Sequence, residues 1–465
     1  MADVRPETAA QDPSIRSTIV PRELPLVLRA RTHPAHPAVE VDGAPTSYAE
    51  LEQLAARAAR RLAALGAGAG DRVATTLPPG LDFAVLVHAL PKLGAALVPV
   101  STRLSTAERR WALEHSGARL VVEEPPEGAE AEVALRTAAV PADPQTVLYT
   151  SGTTARPRAV VLSHGNHEAS ALASAWNLGV APDDRWLCVL PLFHVGGLAI
   201  LLRSAIYATT AVIHERFEAE RVADALAAGE ATLVSLVPTM LRRLVAAGLE
   251  SAPALRAALL GGAPVPRDLL EWSAVHDLPV LQTYGMTETA SQVATLSAVE
   301  ALRRSGSTGR PLPGVELRIA AEGGGKGEGE ILVRGPMVSA GALGADGWLH
   351  TGDRGRLEPD GFLVVEGRLK ETIVSGGENV SPAEVEETLL AHPAVADAVV
   401  VGRPDPEWGE TVVAFVVAAA EVGEEELVRH CRARLAAFKV PRELRFVAEL
   451  PRTPSGKLQR HRLVG

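Results

Sequence analysis

Short apolar, β-branched runs alternate with longer segments of helical period through the first half of the chain, and no other feature narrows the choice of fold so far. From Ser47 onward, Leu51, Leu54, Ala55, Ala58, Leu62 and Leu65 recur at spacings of three and four, which marks one buried helix face. Residues 73–77 then read as a strand, and residues 83–93 as a buried helix that Pro91 cuts short or kinks and Gly94 ends. Residues 95–100 read as the next strand, and helix 107–116, strand 119–122, helix 167–178 and strand 185–190 continue the series. Parallel strands need a crossover of a dozen or more residues, and helices of this length supply it. The pattern therefore predicts βαβ units around largely parallel sheets.

A chain of 465 residues is too long for one ordinary core, so two or three domains are expected. Residues 124–144, rich in Pro, Glu and Ala and without a period, read as a connection between two α/β halves. After residue 306 short alternating strands, 315–319 and 330–333, flank the glycine-rich run 323–329. No helix follows that run, so it reads as a hairpin turn rather than a phosphate loop. A second boundary falls near residue 368. Beyond it, Ser381-Pro382-Ala383-Glu384 is a helix start with Ser as N-cap and Pro at the first helical position. Strands 398–401 and 412–417, helix 424–437 and strand 444–447 complete a small α+β unit. The expected fold class is α/β: a large N-terminal domain, 1–368, of mixed and parallel sheets with flanking helices plus a β-rich subdomain, then a small α+β C-terminal domain, 369–465.

Composition excludes several classes of function. Apolar residues make up 47% and charged residues 22%, the balance of a globular protein. A net charge of −10 argues against nucleic acid as a partner and against a membrane surface. Cys188 and Cys431 are too few and too far apart for a disulfide framework or metal cage, and the thirteen histidines include no H-E-x-x-H helix. The N-terminus, with Asp3, Arg5, Glu7 and Asp12, has no signal-peptide pattern, and the most apolar window, 83–100, is broken by His88, Pro91 and Lys92. A cytoplasmic location without stable membrane insertion is expected; the sequence leaves a homodimer open.

The segment Thr146-Val147-Leu148-Tyr149-Thr150-Ser151-Gly152-Thr153-Thr154 runs from a strand-like stretch into four hydroxyls around one glycine. Hydroxyls and backbone N–H groups on such a turn suit the oxygens of a polyphosphate, and Gly152 lets the backbone come close. Arg156 and Arg158 add fixed positive charge. A Ser/Thr-rich surface turn would look the same, so the weight of this segment comes from its partners.

Those partners are Gln282-Thr283-Tyr284-Gly285-Met286-Thr287-Glu288-Thr289, Trp348-Leu349-His350-Thr351-Gly352-Asp353, Gly367-Arg368-Leu369-Lys370 and Pro454-Ser455-Gly456-Lys457, in that order. With them the chain, from about residue 22 to 461, resembles the adenylate-forming enzymes: acyl-CoA synthetases, luciferases and peptide-synthetase adenylation domains. The resemblance implies ATP, Mg²⁺ and CoA as cofactors and a small-molecule aromatic carboxylic acid as substrate. It implies that Tyr284 stacks on adenine beside Gly261, Gly262 and Ala263, with Gly285 and Met286 in the same loop, and that Thr287 touches phosphate. Glu288 holds Mg²⁺ by the same resemblance, since a carboxylate beside a triphosphate needs a cation between them. Asp353 would grip the ribose hydroxyls and Arg368 ribose or phosphate. Lys457 would bond the attacking carboxylate and the α-phosphate, bringing two anions together. Lys370 matches the hinge of a mobile small domain, whose rotation replaces Lys457 with the segment Ser375-Gly376-Gly377-Glu378-Asn379 beside the pantetheine thiol.

The chain departs from the family pattern at Ala155, Arg158 and Ala159, where Gly, Lys and Gly are usual. Two alanines stiffen the loop, so slower loop closure is expected; unchanged pyrophosphate release in stopped flow for Ala155→Gly would contradict this. Within the family, Pro191-Leu192-Phe193-His194-Val195-Gly196-Gly197-Leu198, Arg203-Ser204-Ala205-Ile206-Tyr207 and the run from Thr289 through Ser291 to Leu296 resemble the o-succinylbenzoate–CoA ligase branch. That acid carries two carboxylates, and the unreactive one needs a positive partner in a partly dry pocket. Arg203 on the apolar helix 198–206 is the candidate, with His194 lining the acyl pocket and Ser291 donating to the acid. Arg203 could instead snorkel to solvent, and His194 could be a core histidine. Another carboxylic acid, loading onto a carrier protein and a non-catalytic adenylate-binding protein are the competing functions.

Overall fold

The computed structural model describes residues 20–464 except 103, 105, 151–157, 302, 305, 322–326, 372, 376–377, 406–408, 436 and 453–457. Nine strands form one sheet in the order Arg310–Pro311, Ser291–Thr295, Val280–Met286, Ala257–Leu260, Leu233–Leu236, Arg185–Cys188, Thr210–Ile213, Pro37–Val41 and Ala44–Ser47. Those from Val280–Met286 to Pro37–Val41 run parallel, and antiparallel strands close both edges. Five strands form a second sheet: Leu120–Val122, Arg72–Thr75, Ala96–Pro99 and Pro144–Thr150 in parallel, then Arg158–Ser163 antiparallel.

Helices fill the space between these sheets. Leu51, Leu62, Leu86, Leu90, Leu198 and Leu201 share one apolar cluster with Val73 and Leu97 of the smaller sheet and Val39, Trp186 and Leu281 of the larger. The helix Tyr48–Ala64 shows one apolar face and starts at a capping box between Ser47 and Glu50. The helix Leu81–Leu93 is buried on all sides from Phe83 to Lys92, as a helix covered on both faces requires. Pro91 lies in its last turn and does not cut it short; Gly94, at φ 72°, ends it.

One expectation is corrected. Residues 124–144 do not join two α/β halves, because Leu120–Val122 and Pro144–Thr150 belong to the same five-stranded sheet. Arg72–Thr75 and Ala96–Pro99 occupy its middle, so the connection has to cross them to add the next strand.

The β-rich part is an antiparallel sheet of Glu316–Ala321, Glu328–Arg334, Leu349–Leu357 and Leu363–Arg368. Its first two strands pair as a hairpin across the glycine-rich run, with Ala321 opposite Gly329. Between Arg368 and Ile373 the chain passes to a last five-stranded sheet, on which Val385 and Leu389 of the helix Pro382–Leu390 and Leu427 and Cys431 of the helix Glu424–Arg432 pack against Val400, Val412 and Ala414. The second of these helices stops at Arg432, short of the expected 437. Ser381 is the N-cap residue of the first, but its hydroxyl makes no cap bond. It donates instead to the Glu366 carbonyl at 2.7 Å and ties the small unit to the preceding sheet. Among the described residues no helix is long and apolar enough to cross a membrane.

Candidate active site

In open α/β sheets ligands gather beyond the carboxyl ends of the parallel strands, and here those ends deliver most of the expected residues. Arg185–Cys188 leads to His194, Ala257–Leu260 to Gly261, Gly262 and Ala263, and Val280–Met286 carries Tyr284 and Gly285. A Cβ on Gly261 would stand 2.8 Å from the Thr283 side chain, so the neighbouring strand already demands glycine there. A Cβ on Gly285 would fall 1.8 Å from the Ser291 carbonyl oxygen, where the strand folds back through the Thr287–Thr289 turn. Ala290 (φ 50°) and Ser291 (φ 115°) follow in left-handed backbone, a conformation that costs non-glycine residues about 1–3 kcal/mol each. Ser170 Oγ donating to the Ala290 carbonyl at 2.8 Å offsets part of this. Thr289 is fully buried, and its hydroxyl lies 3.0 Å from the Met286 carbonyl and 2.9 Å from that of Ser291. It shapes this turn rather than facing open space.

The residues expected at the nucleotide converge from three strands. Asp353 and Arg368 stand opposite each other in the sheet, and the Arg368 Nε donates to Asp353 Oδ1 at 2.9 Å. Tyr284 OH donates to Asp353 Oδ2 at 2.6 Å. Burial, then the Asp353 charge, raises the Tyr284 phenol well above its usual range, so it stays a proton donor. A second Arg368 nitrogen donates to the Thr351 carbonyl at 3.0 Å. The carboxylate expected to grip ribose is thus buried and oriented from two sides.

The phosphate segment joins two antiparallel strands, Pro144–Thr150 and Arg158–Ser163. Thr150 and Arg158 are its described ends, and Arg158 donates to the Gly341 carbonyl at 3.2 Å. Ser151, Gly152, Thr153 and Thr154 lie outside the described residues. So do Gly376, Gly377, Lys457 and the side chain of Lys370, which sits in the turn Leu369–Glu371. The turn bearing Thr287 and Glu288 packs against Arg158–Ser163. Ser339 bridges them, its N–H donating to the Glu288 carbonyl at 2.8 Å and its hydroxyl to Val161 at 2.7 Å. The half-buried Glu288 carboxylate has no ion pair or hydrogen bond among the described residues. Mg²⁺ is commonly held by one or two carboxylates plus substrate phosphates rather than by a protein cage. A lone carboxylate beside a phosphate turn fits that donor set, and no cluster of three or more metal-binding side chains exists among the described residues.

On the acyl side Arg203 is only 3% exposed, which removes the snorkelling alternative. Its guanidinium donates to Gln292 Oε1 and to Ser170 Oγ, each at 3.0 Å, and lies 5.7 Å over the Trp186 ring. No carboxylate pairs with it among the described residues, and burial lowers its pKa. His194 is half-buried at the start of the helix Val195–Tyr207, its ring 4.6 Å from that of Phe193. Ser170 belongs to no motif, and Gln292 lies in the 289–296 run without any role read for it, so nothing in the sequence marked them as Arg203's partners.

Fold and site define an AMP-forming acid–thiol ligase, and the chain belongs to the AMP-binding enzyme family. The AMP-binding enzyme model matches residues 26–343, and the AMP-binding enzyme C-terminal domain matches 384–457. A 2-succinylbenzoate–CoA ligase of Bacillus cereus is 40% identical, over 94% of this chain and 97% of the relative. The o-succinylbenzoate CoA synthetase (MenE) of Bacillus subtilis in complex with the acyl-adenylate intermediate OSB-AMP matches at TM-score 0.92 and 38% identity, covering 96% of this chain and 99% of that one. The same enzyme with ATP and magnesium ion matches at 0.90, with 38% identity and coverage of 96% and 100%. A double mutant of it with the product analogue OSB-NCoA matches at only 0.73, with 38% identity and coverage of 96% and 98%. Identity and coverage barely change across the three, so the fall measures shape, and this structure is closer in shape to the adenylate and ATP complexes than to the product-analogue complex.

Proposed function

We propose that this chain converts 2-succinylbenzoate, ATP and CoA into 2-succinylbenzoyl-CoA, AMP and pyrophosphate. The observation that carries the choice of acid is Arg203, a buried guanidinium with only neutral hydrogen-bond partners among the described residues, on a chain about 40% identical to a 2-succinylbenzoate–CoA ligase along nearly its whole length. A buried cation without a counter-charge is costly, and the unreactive carboxylate of a dicarboxylic acid relieves that cost.

In the first half-reaction the substrate carboxylate oxygen bonds to the α-phosphorus and the bond to pyrophosphate breaks. Tyr284 and the Gly261–Ala263 turn would hold adenine, Asp353 and Arg368 the ribose, and Thr287, Arg158 and the hydroxyls of residues 150–154 the phosphates. Glu288 would hold Mg²⁺, which supplies charge neutralisation when bound. Lys457 would bring carboxylate and phosphate together. In the second half-reaction the CoA thiol, losing its proton, bonds to the acyl carbon and AMP leaves. The drop in TM-score from 0.92 to 0.73 supports a turn of the small domain, 369–465, about Lys370 between the two steps, with Gly376 and Gly377 then lining the thiol channel. Cytoplasmic location and a homodimer remain parts of this proposal; sedimentation velocity tests the second.

A panel of acids with ATP and CoA, scored by mass spectrometry of the thioester, should single out 2-succinylbenzoate. Arg203→Ala should lose activity selectively with that acid, about tenfold or more relative to benzoate. A second reading has its own support: Arg203 bonds the residue after Ser291 and the hydroxyl that holds Ala290, so it braces the strained turn. Equal loss with all acids would assign it that role and reopen the identity of the substrate.

A further inference from the structure

We propose that Glu330 is a positioning residue for the ATP ribose, acting through the Gly352 peptide on Asp353. The inference rests on the reading of Asp353 as the ribose-gripping carboxylate. Glu330 lies on Glu328–Arg334, next to the strand that carries Asp353. Glu330 stands opposite Arg354 and Leu332 opposite His350, so Thr351, Gly352 and Asp353 together face Ile331 alone. This bulge breaks the pairing of Thr351, Gly352 and Asp353 to the Glu328–Arg334 strand, while Asp353 keeps its pairing to Arg368 on the other side.

Side chains replace that pairing. Thr351 Oγ1 donates to the Ile331 carbonyl at 2.7 Å and accepts the Asp353 N–H at 3.0 Å. The Gly352 N–H, on a residue at φ 69°, donates to Glu330 Oε1 at 2.9 Å. Glu330 Oε2 is 2.9 Å from His350 Nδ1, whose other nitrogen is 3.2 Å from Asp346 Oδ2. Arg354, the cross-strand neighbour, is engaged by Glu328 and Glu366, which leaves the Glu330 carboxylate to the bulge. Glu330 thereby holds the Thr351–Gly352 peptide, Thr351 Oγ1 holds the next one through the Asp353 N–H, and Tyr284 and Arg368 aim the side chain.

The test compares KM for ATP, 2′-deoxy-ATP and 3′-deoxy-ATP in pyrophosphate release by wild type, Glu330→Ala and Glu330→Gln. Wild type should favour ATP by about tenfold or more, the worth of a hydrogen bond to a charged group. Glu330→Ala should bring that ratio close to one while KM for the acid stays unchanged. Glu330→Gln, which keeps an oxygen for the Gly352 N–H, should retain most of the discrimination. A merely structural role would lower activity with all three nucleotides alike. Should Glu330→Ala fail to fold, Glu330→Met, of similar shape but without an acceptor, serves the same purpose. Full discrimination in a folded Ala or Met variant overturns the inference and leaves Asp353 untouched. A wild-type enzyme indifferent to both ribose hydroxyls overturns the Asp353 reading, and this inference with it.

Discussion

Gly285 shows how one residue ties fold to chemistry. It is the tightest of the site glycines, with the Ser291 carbonyl 1.8 Å from where a Cβ would stand. Gly285→Ala must therefore push the strand Ser291–Thr295 away, at about 1–3 kcal/mol for overpacking. The same shift would move Ser291 and Gln292, the latter being Arg203's acceptor. The expected outcome is a lower denaturant midpoint together with a raised KM for the acid; an unchanged KM would separate the turn from the acyl site. Tyr284→Phe keeps the ring that would stack on adenine and removes the 2.6 Å hydrogen bond to Asp353. KM for ATP should rise about tenfold, with KM for the acid unaltered. Residues of this kind were legible when their neighbours in sequence were also their neighbours in space, as Tyr284, Gly285, Thr287 and Glu288 are. Arg203 was legible only as a charge on an apolar helix, because its partners lie 33 and 89 residues away. Glu330 was not legible at all: a glutamate on an exposed-looking strand reads as surface until the bulge across from it is known.

Among elements, the tail after residue 457 is held more firmly than its loop-like sequence suggested. Arg460 pairs bidentately with the largely buried Glu386 of the helix Pro382–Leu390 and donates to the Val400 carbonyl at 2.9 Å. Its Nε lies 3.0 Å from Glu371, in the same turn as the expected hinge residue Lys370. Arg460 is three positions from Lys457, so this ion pair links the hinge turn to the segment that would deliver the catalytic ammonium. Removing Arg460 would strand the Glu386 carboxylate in the interior and threaten the fold, whereas Glu371→Gln cuts only the tie to the turn. That variant should slow adenylation about five- to tenfold, the scale of a partly exposed pair worth about 1 kcal/mol, and leave thioester formation from supplied acyl-adenylate unchanged. Equal slowing of both half-reactions would show that the tie serves the small domain as a whole. Strand and helix alternation was enough to predict largely parallel sheets, since periodicity is a local property, but strands such as Thr210–Ile213, Leu233–Leu236 and Ala257–Leu260 were not read. The order of strands was not, because residues 124–144 carry no mark of the two strands they cross.

At the scale of the molecule, the packed layers between the two large sheets contain imidazoles that must stay neutral. His88, on the central helix Leu81–Leu93, is held down to about 4 by burial and then by the nearby Lys92. His167 is held down to about 3 by burial, then by His164 and Arg203, while its Nε2 lies 2.8 Å from Thr146 Oγ1. Burial shifts His36 and His214 in the same direction. An unfolded chain takes up these protons near pH 6.5, whereas the folded chain refuses them until the pH is far lower. Between those limits the unfolded state binds more protons, so stability falls as the pH falls. His88 and His167 each contribute a slope of about 1.4 kcal/mol per pH unit from roughly pH 6.5 down to about 4, the part above about pH 5.5 lying clear of carboxylate titration. Denaturant midpoints of the large domain should therefore decline steadily through this window, and His88→Gln should make the decline shallower by about one proton. A flat profile from pH 7 to 5 would mean that these histidines reach solvent in the folded protein, and that the layer joining the two sheets is looser than its packing indicates.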